Sequence, residues 1–183
     1  MRAALGIAFG LAAMLLSRTA PAAIIGQQFT AEYRYPTIGT PYNSAVFAPT
    51  PFIAGPGLDT TGNVEGVTSL LVDLFDTGLT VTFQTTLVNP TWNVAPFNGI
   101  VLTAAGPLGV SGATIAANST FAGFDDSRVT LTSNEIQLNW NGLSYTNGTL
   151  LSVSFTPVPE PFSLVLLGTE LAGIAAIRRR YRA

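Results

Sequence analysis

The 183-residue chain contains no histidine, cysteine or lysine. That excludes thiolate chemistry, histidine-based zinc sites and catalytic triads, serine–lysine dyads and Schiff bases. Carboxylates, hydroxyls and aromatic rings are what remains. Asp125 and Asp126, followed by Ser127, form the densest run of oxygen ligands, with Asp73 and Asp76 as distant contributors. Such oxygens suit Ca²⁺, a hard cation that takes six to eight of them. The competing reading is a loop that caps itself through Asx hydrogen bonds, with Arg128 pairing one of the aspartates. Two carboxyl groups facing each other about 5–10 Å apart would do glycosidase chemistry. Nothing in the sequence shows a pair at that spacing, and isolated acidic residues at strand edges serve solubility, so a non-enzymatic body is expected. Trp92, Phe97, Trp140 and Tyr145 could form a platform for sugar rings. Trp140 alternates in phase with Ile136 and Leu138, which places it in a core. Trp92 sits in a proline-flanked loop and is the better ligand candidate.

These residues lie in a body bounded by two atypical ends. The first 22 residues have a positive start at Arg2, an apolar stretch from Ala3 to Leu16 and a small-x-small step, Ala20-Pro21-Ala22. That is the organisation of a secretory signal cleaved before Ala23, and it implies signal peptidase and the Sec machinery as partners. At the other end, residues 157–183 contain Pro159-Glu160-Pro161, an apolar run from Phe162 to Ile177, and Arg178, Arg179, Arg180 and Arg182. The two prolines keep their predecessors extended and present Glu160 on a stiff leader. As a helix the run would span about 24 Å at ~1.5 Å per residue, short against a hydrocarbon core of about 30 Å. Thinning of the bilayer and arginines reaching to the headgroups can absorb that difference. Glu170, near the middle of the run, would cost about 2.5 kcal/mol or more to insert. The arginines form a basic stop that stays cytoplasmic under the positive-inside bias.

The tail resembles the PEP-CTERM sorting signal of Gram-negative bacteria in all three parts and in their order. The resemblance covers about 25 residues and implies recognition by an exosortase-type membrane protease. It also implies cleavage near the Pro-Glu-Pro step and transfer to the surface or an exopolysaccharide matrix. Glu170 departs from the usual uncharged run. A plain membrane anchor is the alternative.

Between the ends lies one body, residues 23–156, large enough for a real core. It holds eight acidic residues and two basic ones, a net charge of −6. With no cluster of basic residues it has no footprint for nucleic acid. Phe29, Ala31, Tyr33 and Tyr35 alternate with polar residues and predict a first strand. Prolines 36, 41, 49, 51 and 56 break the next stretch of chain into loops or short edge strands. Leu70, Val72 and Leu74, then Asp76-Thr77-Gly78, then Leu79, Val81 and Phe83, predict a hairpin, with Leu87 continuing its apolar face. Residues 100–102 and 110–115 read as short strands around a turn at 106–109. Val129 and Leu131, then Ile136 and Leu138, then Leu151, Val153 and Phe155 predict the closing strands, with turns at Asn141-Gly142 and Asn147-Gly148. This closing order also resembles that of many proteins carrying the same sorting signal. No segment of the body shows sustained helical periodicity. The expectation is an all-β, antiparallel, jelly-roll-like β-sandwich of roughly eight strands, flanked by a signal helix and a transmembrane-type helix. Its role would be that of an exported surface or matrix component, or alternatively of a module binding extracellular polysaccharide.

Overall fold

The computed structural model describes residues 24–158. The signal segment with Ala20 and Ala22, the Pro159-Glu160-Pro161 motif, Glu170 and the terminal arginines lie outside the described residues. Eleven strands build the body: β1 (Gln28–Arg34), β2 (Ala45–Ala48), β3 (Phe52–Ile53), β4 (Thr60–Val64), β5 (Thr68–Phe75), β6 (Gly78–Thr85), β7 (Gly99–Ala104), β8 (Val110–Ile115), β9 (Val129–Leu131), β10 (Glu135–Asn139) and β11 (Leu150–Pro157). They form two antiparallel sheets, ordered β3-β1-β7-β10-β9 and β2-β4-β5-β6-β11-β8. A single 3₁₀ turn, Asp126–Arg128, is the only helical element among the described residues, so none of their helices is long and apolar enough to cross a membrane.

Period-2 patterning decides which face of each sheet is buried. In β1, Phe29, Ala31 and Tyr33 are buried while Gln28, Thr30 and Glu32 are exposed. In β5 and β6, Leu70, Val72, Leu74, Leu79, Val81 and Phe83 are wholly buried. The two strands pair in continuous register from Thr68↔Thr85 to Phe75↔Gly78, leaving Asp76 and Thr77 as a two-residue turn. One hydrophobic core takes side chains from both sheets, which makes the fold sandwich-like.

Three details depart from the sequence reading. There are eleven strands because several edge strands are only two to four residues long. Leu87 does not extend the apolar face of β6; the ladder ends at Thr85 and Leu87 is largely exposed. The strand β4 has no apolar alternation because Gly62 faces inward beneath the ring of Phe47, where a Cβ would meet the ring at 2.5 Å.

Candidate functional site

The loop between β6 and β7 is the main departure from a surface platform. Backbone bonds from Trp92 N to Leu143 O (2.9 Å) and from Gly142 N to Trp92 O (3.1 Å) dock it against the segment after β10. A bridge between Thr91 and Ser144 extends the contact. The docking turns Trp92 inward, to 9% exposure. Its ring stacks on Tyr145 at 4.7 Å and lies 5.7 Å from Tyr33 and 5.8 Å from Trp140. Phe97, Trp140 and Tyr145 are buried as well, so the four aromatics form no exposed platform.

Trp140 is fully buried and tied into this cluster by a hydrogen bond. Its Nε1 donates to the Tyr33 hydroxyl at 2.8 Å, and that hydroxyl donates to Asn98 Oδ1 at 2.6 Å. Asn98 in turn donates through Nδ2 to the Asn93 carbonyl at 2.9 Å. The chain of bonds ties the sheet interior to the docked loop. Trp92 differs: its Nε1 is buried without a hydrogen-bond partner. A buried polar group left unpaired costs about 1–3 kcal/mol.

A cavity of about 150 Å³ opens beside these rings. Tyr33, Trp92, Asn98, Thr68 and Tyr145, all buried, lie toward its floor, and Tyr35, Tyr42, Glu65, Val67 and Leu87 form its more exposed rim. The Tyr145 and Thr68 hydroxyls are bonded at 2.7 Å, and Tyr42 donates a short hydrogen bond to Glu65 Oε1. Glu65 adopts a left-handed backbone (φ 55°) in the turn between β4 and β5. Sequence reasoning named Trp92 and Tyr145 but missed Tyr33, Tyr42, Glu65 and Asn98. Three tyrosines between positions 33 and 42 were the available signal; nothing local links them to Glu65. A second cavity of about 330 Å³ is lined in part by Phe97, Arg128, Gln137 and Asn139.

The two adjacent aspartates are engaged with the protein itself. Asp125 caps the 3₁₀ turn, accepting from Ser127 N at 2.9 Å and Ser127 Oγ at 2.5 Å, and these bonds hold its carboxyl below the usual carboxylate range. Asp126 accepts from Ile115 N at 2.7 Å, and Asp76 from Ile25 N at 3.0 Å. Arg128 donates to the carbonyls of Asn139 and Asn141 at 3.2 and 3.1 Å. Among the described residues no group of three or more acidic side chains could hold a metal ion together.

The tyrosines give the body a definite response to base. Burial pushes the Tyr33 phenol far above its ordinary range, and burial also raises Tyr145. The hydrogen bond to Glu65, then burial, raises Tyr42. Raised phenols mean that the unfolded chain loses protons first. Their contribution to stability is therefore complete below about pH 10 and declines above it, by at most about 1.4 kcal/mol per pH unit for each fully suppressed ionisation. Tyr33 and Tyr145 are expected to ionise only in a cooperative step of tyrosinate absorbance coincident with loss of near-UV circular dichroism. Titration of every tyrosine before unfolding would contradict the packing of Tyr33.

Comparison with protein families, with curated proteins and with solved structures finds no match to this chain.

Proposed function

We propose that this is an exported bacterial protein, sorted to the envelope or exopolysaccharide matrix by exosortase-type processing, where its body acts as a non-enzymatic surface or matrix component. The observation that carries the reading is the tail: Pro159-Glu160-Pro161, the apolar run and the arginine stop, in that order, with a secretory signal at the opposite end. The body suits such a passenger. Its acidic surface resists nucleic acid, and it folds without disulfides. Asp59, Asp76, Asp125 and Asp126 accept backbone N–H groups, and neither of the two cavities is lined by a pair of carboxylates. In its finer architecture we read the body as a jelly-roll-like β-sandwich, since the chain passes repeatedly from one sheet to the other. On the same reading, the proposed signal segment precedes it and the proposed sorting tail follows it.

Binding of extracellular polysaccharide is the second reading, favoured by the aromatic, hydroxyl-rich cavity. In the native host, the full chain is expected at the surface or in the medium. A chain ending at Val158 is expected to remain in the periplasm, as judged by immunoblots of fractionated cells. Equal export of both forms would contradict sorting by the tail.

A further inference from the structure

We propose that the cavity beside Trp92 is a subsite for one neutral sugar ring, which rests on the polysaccharide-binding reading and narrows it to the exposed end of a glycan. The size sets the first limit. About 150 Å³, a volume that elsewhere accommodates benzene, takes the six-membered ring of one sugar while its outer hydroxyls lie over the open rim. An internal stretch of polymer needs a groove; a single-ring cavity takes a terminal residue whose chain leaves past the exposed rim at Glu65 and Leu87.

The lining sets the second. Tyrosine and tryptophan rings supply the apolar surface that the C–H face of a sugar covers. Between them stand the Thr68 and Thr91 hydroxyls, the Asn93 and Asn98 amides and the Glu65 carboxylate, donors and acceptors of the kinds that sugar hydroxyls need. Most of these groups are already bonded within the protein, and a hydrocarbon would cover the donor and acceptor capacity they have left over, the Glu65 carboxylate above all. An anionic sugar would meet Glu65 and no basic residue in the lining. Trp92 lines the cavity as a residue, while its indole N–H, without a protein acceptor, is itself closed off from the surface and is not counted as a contact for the sugar.

The test is a titration of the full chain with glucose, galactose and mannose, with glucuronate and choline as controls, followed by tryptophan fluorescence. Retention on insoluble neutral polysaccharide is measured in parallel. At least one neutral hexose is expected to give a saturable change. Tyr42→Phe and Glu65→Gln sit at the rim, keep the shape of their side chains and are expected to weaken binding about tenfold, the loss of one charge-assisted hydrogen bond. Saturation by choline alone would overturn the assignment in favour of a cation site. Unchanged affinity in both variants would overturn it by moving the site elsewhere. Polymer retention with a silent hexose titration would refute the subsite while leaving the polysaccharide reading intact. Absence of retention and of hexose binding would refute both.

Discussion

Trp140→Ala is expected to destabilise the body by about 3–5 kcal/mol, the range for deleting a buried tryptophan or phenylalanine side chain. The side chain is fully buried. It lies 5.2 Å from Phe83 of the facing sheet in an edge contact, and 5.9 Å from Tyr33. Each such pair adds about 0.5–1.5 kcal/mol beyond area burial. Truncation also removes the donor to the Tyr33 hydroxyl, at one end of the bond chain that reaches Asn98 and the docked loop. Against a typical total stability of about 5–15 kcal/mol, a large share is lost at one position. Urea unfolding followed by circular dichroism checks this, with a fall in midpoint at nearly unchanged slope. A loss below about 1 kcal/mol would contradict the packing of this ring in the core. Trp140→Phe is expected to recover part of the loss, because a ring remains although the donor is gone.

The second large effect comes from a residue with no side chain. Gly99 opens β7 and pairs with Asn139 of β10. A Cβ at this position would overlap the Leu138 carbonyl oxygen and stand 2.9 Å from the Leu138 carbonyl carbon and 3.2 Å from the Asn139 Cα. The obstacle is backbone on every count, so no rotamer change relieves it. Gly99→Ala is therefore expected to separate β7 from β10 at this end and cost about 3 kcal/mol or more, at or above the upper end of ordinary overpacking. Gly112→Ala is the matched control. There the nearest atoms belong to the Thr156 side chain at 3.7 and 3.8 Å, ordinary van der Waals contact. The effect is expected within about 0.5 kcal/mol of zero, or mildly stabilising through reduced freedom of the unfolded chain. Thermal melts of the two variants side by side give the comparison, and equal losses would contradict the close strand approach.

Much of the fold was legible because the buried faces obey a local rule. The alternation of Phe29, Ala31 and Tyr33, of Leu70, Val72 and Leu74, and of Leu151, Val153 and Phe155 needs only a sheet with one wet face. Strand β4 escaped because its inward positions are Thr60, Gly62 and Val64. Thr60 is buried through its hydroxyl, which donates to the Pro49 carbonyl at 2.6 Å, and Gly62 through its lack of a side chain. Neither carries a hydrophobic signal. Leu87 misled for the opposite reason, since the pattern ran past the point where the partner strand stops.

The candidate site was less legible, and the cause is tertiary. Trp92 lies in a segment, Pro-Thr-Trp-Asn-Val-Ala-Pro, whose local chemistry reads as an exposed loop. What buries it is docking against residues 142–144, about fifty positions away. Tyr42 and Glu65 meet through another long-range contact, made when the β4–β5 turn approaches the loop after β1. Asp125 and Asp126 show the reverse case. A short acidic run followed by serine carried both a metal reading and a capping reading, and the geometry gives both carboxylates backbone donors.

The sorting proposal makes the most direct prediction about the molecule as its host makes it. Intact mass spectrometry of the protein recovered from cells and from the medium reads both ends at once. The account predicts a released species that starts at Ala23 and ends near Pro159–Pro161. A species ending at Ala183 in every fraction, held in the membrane, would contradict it and leave the tail as a simple anchor.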